Sequence, residues 1–319
     1  MACGLPVVST NPCVEEIIPQ KLRPLLVFPK WDTNKLAERI HFLLSLDEVS
    51  RAEIGRSLRD VVVRDHGIEG LTDKILSALP RLKIIAKYGV GLDNIDQQAL
   101  ERHQVELRWT EGINRRSVAE LTLSFMLGLC HNVFRAGADL KQGQWAKEGG
   151  RMLKGKTVGI IGCGHIGMEV VRLLQPFECT VWVRDILDRS EFCAETGAVE
   201  KRFEEVLRGA DILSLHVPLT DQTRNMMDKN AIHQMRLTAF LINTSRGEVV
   251  DQDALKEALL KGTLSGAALD VFAQEPPEDQ ELLACPNLMV TPHIGGNALE
   301  AVEAMARAAF QHLEDYFSE

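Results

Sequence analysis

Gly162-Cys163-Gly164-His165-Ile166-Gly167 sets three glycines at the spacing G-x-G-x-x-G between a β-branched run and a helical pattern. The chemistry open to such a turn is the holding of a pyrophosphate. Glycines permit the tight turn and the close approach of phosphate, and the following helix offers free N–H groups and the positive end of its dipole. Asp185 closes the next apolar run, 18 residues beyond Gly167, where a carboxylate would take ribose hydroxyls and repel a 2′-phosphate. The pattern therefore points to NAD rather than NADP, against the plainer reading of a glycine turn that binds nothing. Arg246, Glu275 and His293 each fall just past the carboxyl end of an expected strand. An arginine fork can hold a substrate carboxylate, an imidazole can move a hydroxyl proton, and a glutamate beside it favours the imidazolium. Taken singly, such residues are more often solvated or structural. Their coincidence with a dinucleotide turn is what assigns them a shared task. Asp270 could accept from a nicotinamide amide or could cap a turn.

The elements that must position these groups are legible from residue 157 onward. Short apolar runs at 157–162 (TVGIIG), 179–185 (CTVWVRD), 211–218 (DILSLHVP), 239–245 (AFLINTS), 267–272 (AALDVF) and 288–293 (LMVTPH) alternate with helical patterns. Near-continuous apolar strands with helices between them imply a parallel sheet covered on both faces. The expected fold is thus α/β, a Rossmann-type doubly wound sheet in which ligands gather outside the carboxyl ends of the strands. The spacing predicts a helix over 117–134, opened by a capping box between Ser117 and Glu120, and another over 166–177 after the glycine turn. The first of these is apolar nearly all round, which buries it in the core or at a subunit seam. Residues 1–80 show helical patterns at 33–46 and 47–61 but no regular strand-helix alternation.

Composition excludes several classes. A chain of 319 residues with 45% hydrophobic and 25% charged residues has the length for about two domains and an ordinary globular make-up. No apolar run approaches the ~18 residues of a membrane span. A net charge of −9, without a Lys/Arg block, argues against a nucleic-acid surface. Seven scattered cysteines lack the paired spacing of a zinc site, so no metal is expected, and they read as reduced thiols of a cytoplasmic protein. Nothing at the N-terminus resembles an export signal.

Read in order, LKIIAKYGVGLDNID (82–96), NRRSVAEL (114–121), the 153–170 stretch around the glycine turn, ADILSLHVPLTDQTRNMM (210–227), LINTSRGEVVD (241–251), GAALDVFAQEPP (266–277) and TPHIGG (291–296) resemble the D-isomer-specific 2-hydroxyacid dehydrogenases, above all their phosphoglycerate dehydrogenase-like branch. The resemblance covers about residues 80–319. It implies an NAD-dependent oxidoreductase passing hydride between a D-2-hydroxy acid, 3-phosphoglycerate-like in this branch, and the nicotinamide. Arg246, Glu275 and His293 would be catalytic. Cofactor contacts would extend from Gly162, Gly164 and Gly167 to Val90, His165, Ile166, Asp185, Val217, Pro218, Thr244, Ser245, Asp270 and Gly295. Lys87, Gly89, Val90 and Gly91 would join Arg246 in gripping the substrate. A glutamate at 275 argues against the formate-oxidising relatives, which carry an amide there. The resemblance also implies a homodimer joined through the nucleotide domain.

The N-terminus departs from that pattern. Residues 1 to about 77 resemble the C-terminal end of a retaining glycosyltransferase, whose donor-sugar glutamate would lie before Met1, so glycosyl transfer is not expected. DVVVRD (60–65) fits either the late substrate-domain unit of the dehydrogenases, in which case Arg64 could face substrate, or a continuing helix. The expected organisation is a discontinuous substrate domain, 1–113 plus 292–319 with 1–58 atypical, around an NAD-binding domain at 114–291. Two other readings stay open at this point: a non-catalytic NAD(H)-binding regulator, and a fused or truncated chain with impaired activity.

Overall fold

The structure is a computed structural model that describes residues 71–318, apart from 78, 81 and 148. The glycosyltransferase-like stretch through residue 70, the helical patterns at 33–46 and 47–61, and Arg64 with DVVVRD lie outside the described residues. Those described fall into two compact units, 71–81 with 93–103 and 82–92 with 104–318.

In the smaller unit a parallel bridge joins Leu71 to Ile95 beside two short helices, α1 (Asp73–Ser77) and α2 (Gln97–Arg102). Asp96 caps α2 by accepting from the Ala99 N–H at 2.9 Å.

The larger unit contains two sheets. Strands β1 (Ile84–Ala86) and β2 (Glu106–Arg108) pair in parallel by themselves. The other strands are β3 (Thr157–Ile161), β4 (Thr180–Arg184), β5 (Val199–Glu200), β6 (Ile212–Leu215), β7 (Phe240–Asn243), β8 (Gly266–Leu269) and β9 (Leu288–Val290). They form one parallel sheet of seven strands in the order β5-β4-β3-β6-β7-β8-β9. The order runs outward in both directions from the β3/β6 pair, so the chain reverses direction there and opens a crevice at the carboxyl ends of these two strands. Val158, Ile160, Ile212, Ile242 and Ala268 face one core; Ile161, Leu213, Leu215, Leu241 and Leu269 face the other. Both faces are dry, and this is why the strands read as continuous apolar runs rather than alternating ones. Each strand stops one to three residues short of its apolar run at the carboxyl end, because the residues beyond leave the ladder to build the loops of the crevice.

The helices that matter for the site are α3 (Arg115–Cys130), α4 (Val133–Lys141), α5 (His165–Leu174), α6 (Ser190–Thr196), α9 (Gln252–Lys261) and α11 (Leu299–Ser318); α7 (Phe203–Gly209), α8 (Lys229–Gln234) and α10 (Gln280–Leu283) complete the set. Two expectations for α3 are corrected. The helix begins at Arg115, and Ser117 is inside it, so the capping box with Glu120 does not form. The Ser117 hydroxyl instead donates to the Gly295 carbonyl and accepts from the Ala298 N–H, a tertiary use that outcompetes the local one. The helix also ends at Cys130 rather than 134, because Asn132 takes the left-handed conformation at φ 58° and starts α4 in a new direction, bent by 64°. The helix expected over 166–177 is α5 followed by one 3-10 turn, Gln175–Phe177. Among the described residues no single helix is long and apolar enough to cross a membrane.

Candidate active site

The glycine turn joins β3 to α5. Gly162 has φ 89°, and a side chain there would collide with the His216 carbonyl. A Cβ on Gly167 would lie 2.1 Å from the Gly162 carbonyl oxygen, so the helix start packs directly on the turn. A Cβ on Gly164 would meet nothing within 4 Å. Two glycines are thus needed for packing and the third fronts open space, the arrangement a pyrophosphate requires beside free helix N–H groups. His165 and Ile166 are the first residues of α5, the histidine exposed with its Nε2 3.4 Å from Glu111. Asp185, just past β4, accepts from the Cys163 N–H at 2.6 Å and from the Leu187 N–H at 2.8 Å. The acid is therefore fastened to the glycine turn itself. These residues fit NAD.

Val217 and Pro218 follow β6 at the next strand end. His216 precedes them, accepting or donating through Nε2 with the Ser214 hydroxyl at 2.9 Å; burial pushes its pKa down to about 3, so it is neutral. Sequence reading passed over this histidine, since it sits within an apolar strand pattern.

Arg246 follows β7. The loop is shaped by Asn243, fully buried, whose Oδ1 accepts from the Ser245 N–H and hydroxyl while its Nδ2 donates to the Arg246 carbonyl at 2.8 Å. Thr244 and Ser245 are buried here, and the Thr244 hydroxyl meets that of Thr122 on α3 at 3.0 Å. A side chain on Gly247 would overlap the backbone of Phe272 and Ala273. The absence of one lets the Arg246 loop press against the loop that carries Glu275.

Asp270, one residue past β8 and 1% exposed, organises the remainder. Its Oδ1 accepts from the Thr291 hydroxyl at 2.6 Å and the Ile294 N–H at 2.8 Å, and its Oδ2 from the Gly295 N–H at 2.8 Å. Of its two sequence readings, the structure displays the turn cap. The Asp270 carbonyl accepts from the His293 N–H at 2.8 Å. His293 lies beyond β9 rather than in it, with φ 54°, a left-handed position that histidine tolerates better than most residues. Its Nδ1 is 2.8 Å from Glu275 Oε2 and 3.1 Å from Oε1. A carboxylate only accepts, so Nδ1 carries the proton and Nε2 is the nitrogen left for chemistry. The hydrogen bond that His293 donates to Glu275 raises the His293 pKa above its ordinary value, opposed by desolvation and by the charge of Arg246. Desolvation works to raise the Glu275 carboxyl, but hydrogen bonds from His293 and the Phe272 N–H and the charge of Arg246 outweigh it and hold the group low. Both shifts favour the imidazolium–carboxylate form of the pair, which is a proton donor.

Arg246, Glu275 and His293 thus come from three consecutive strand ends and lie within electrostatic reach of one another. Lys87, Gly89, Val90 and Gly91 are placed differently. They follow β1 of the small sheet, all half-buried, in a loop supported by the Lys87 N–H donating to the Arg108 carbonyl at 2.9 Å and by α11 packing on β1.

Residues 123–295 match the family described as D-isomer specific 2-hydroxyacid dehydrogenase, NAD binding domain. A glyoxylate reductase of Thermofilum pendens is 37% identical over 83% of this chain and 80% of its own length. A hydroxypyruvate reductase of Thermotoga maritima is 37% identical, covering 78% and 81%. Among solved structures, a D-lactate dehydrogenase from Aquifex aeolicus complexed with NAD and lactic acid superposes with a TM-score of 0.72 at 30% identity, over 78% of this chain and 80% of the other.

Proposed function

This chain belongs to the D-isomer specific 2-hydroxyacid dehydrogenase family and is an NAD-dependent oxidoreductase; we propose that Arg246, Glu275 and His293 carry its reaction and that the substrate is a small D-2-hydroxy acid or its 2-oxo counterpart. The observation that carries this reading is the 2.8 Å contact between His293 Nδ1 and Glu275 at the rim of the nucleotide crevice, with Arg246 on the adjoining loop. Bound NAD supplies the hydride acceptor or donor at its nicotinamide. Gly162, Gly164, His165, Ile166 and Gly167 hold the pyrophosphate, Asp185 the ribose, and Val90, Val217, Pro218, Thr244, Ser245 and Gly295 the rest of the cofactor, with Asp270 bracing the loop that carries Gly295. Arg246 pairs with the substrate carboxylate, aided by the backbone of Gly89, Val90 and Gly91. His293 gives its Nε2 proton to the carbonyl oxygen during reduction and takes it back during oxidation, while Glu275 holds the ring in place. Lys87 gives the site a positive charge, which suits a phosphorylated 2-hydroxy acid such as 3-phosphoglycerate.

For this reading residues 114–291 form the NAD-binding domain and 1–113 with 292–319 the substrate domain. A homodimer is part of it too. Helix α4 has no buried residue, and Val133, Phe134, Leu140, Trp145 and Met152 are all exposed within one stretch, an apolar surface that suits a second copy. The five described cysteines are free, which fits a cytoplasmic setting.

The test is NADH oxidation with phosphohydroxypyruvate, glyoxylate, pyruvate and phenylpyruvate, repeated with His293→Gln. The expected result is turnover with at least one acid, reduced by about 10³-fold in the variant with NADH affinity unchanged. No turnover in protein that binds NADH would favour a non-catalytic nucleotide sensor instead. Unchanged turnover in the variant would remove His293 from its role.

A further inference from the structure

The first turn of α6 carries an unusual choice. Its N-cap is Arg189, which has no acceptor to offer the helix and makes no side-chain capping bond. The arginine, its side chain 18% exposed, is instead folded against the ribose-end acid, with its Nε 3.5 Å from Asp185 Oδ2. That Nε is buried without a hydrogen-bond partner. Its backbone is fixed, since the Arg189 N–H donates to Glu200 Oε1 at 2.9 Å and its carbonyl accepts from the Cys193 N–H at 2.8 Å. A second arginine, Arg184, precedes Asp185 and donates to the Asp185 carbonyl. The other nearby cations are engaged: Lys201 rests on the Trp182 ring at 5.6 Å and Arg202 pairs with Glu205 at 3.0 Å.

An aspartate at this strand end discriminates against a 2′-phosphate because two negative charges would be forced together. Here the carboxylate does not stand alone. Two backbone N–H groups already share its oxygens, and a guanidinium nitrogen 3.5 Å away offsets its charge. A phosphate on the ribose 2′-oxygen would come within reach of a planar fork of donors that suits phosphate geometry. We propose that Arg189 is a specificity-determining residue of the adenosine end, pairing with the 2′-phosphate so that this dehydrogenase accepts NADPH alongside NADH. The inference rests on Asp185 being the ribose acceptor.

Dissociation constants for NADH and NADPH, read from nicotinamide fluorescence, test it in the unaltered protein and in Arg189→Ser and Arg189→Lys. Serine supplies the missing cap, so the variant is expected to fold. In the unaltered protein NADPH should bind within about tenfold of NADH. Arg189→Ser should weaken NADPH by about tenfold or more while moving NADH by less than about threefold, and Arg189→Lys should keep most of the NADPH affinity. Added salt should loosen NADPH more than NADH, and only when Arg189 is present. Binding of NADPH about a hundredfold weaker than NADH in the unaltered protein, or equal losses for both nucleotides in Arg189→Ser, would overturn the proposal. NADH affinity untouched by Asp185→Ala would instead remove the ribose reading beneath it, which distinguishes the two failures.

Discussion

Two aspartates occupy equivalent posts in this sheet, one past β4 and one past β8, and they are used in opposite ways. Asp185 accepts one backbone hydrogen bond from the glycine turn, at Cys163, and one from its own loop, at Leu187, and keeps an arginine at its shoulder. Asp270 is 1% exposed and accepts three hydrogen bonds from the segment that carries His293. The first holds a site for a ligand to complete. The second is part of the scaffold. Position at a strand end therefore tells where a side chain works but not whether it serves the ligand or the loop, and the partners decide that.

Replacing each acid should separate the two uses. The largest effect is expected for Asp270→Ala. It strands the N–H groups of Ile294 and Gly295 and the Thr291 hydroxyl, so denaturant unfolding should report a loss of about 3 kcal/mol. Turnover should collapse with it, as the His293 loop loses its anchor. A stability change under about 1 kcal/mol would show the carboxylate to be dispensable to the scaffold and would reopen its role toward the nicotinamide. Asp185→Ala should cost less in unfolding, about 1 kcal/mol for the Cys163 and Leu187 N–H groups it releases, while raising the NADH dissociation constant about tenfold and shifting preference toward NADPH. If stability falls as far as in Asp270→Ala, the contrast between the two acids fails.

Glu275→Gln gives the smallest and most diagnostic effect. Reduction of a 2-oxo acid needs the imidazolium, so its rate falls as pH rises through the elevated His293 value; oxidation needs the neutral ring and rises across the same window. Without the carboxylate the imidazolium is no longer favoured, and both limbs of the kcat/KM profile should move to lower pH. Limbs that stay in place would mean that Glu275 orients the ring without tuning it.

The large sheet was legible because its strands are buried on both faces, so that stretches such as TVGII and ILSL carry an unbroken apolar signal. The residues proposed as catalytic were singled out for a related reason, each standing just beyond such a run. What escaped had no such signal. Strand β5 is two exposed residues at the sheet's edge, and β1 and β2 are three residues each. The break after α3 depends on a left-handed Asn132 inside an apolar stretch. Ser117 satisfied every local rule for a cap and was claimed by a loop 178 residues away. Asn243 and Arg189 are informative only through what they touch, which spacing along the chain does not encode.

The order of strands has one further consequence. The glycine turn hangs from β3, which has a paired neighbour on either side, whereas the loop bearing His293 follows β9, a three-residue strand at the sheet's margin paired with β8 alone. Local opening begins where a ladder has fewest partners. Fraying of that margin would detach the proposed acid–base group while the glycine turn at the centre stays intact. The proposed acid–base group hangs from a marginal strand of the sheet and the proposed nucleotide grip from a central one, so this molecule would fall silent before it lets go.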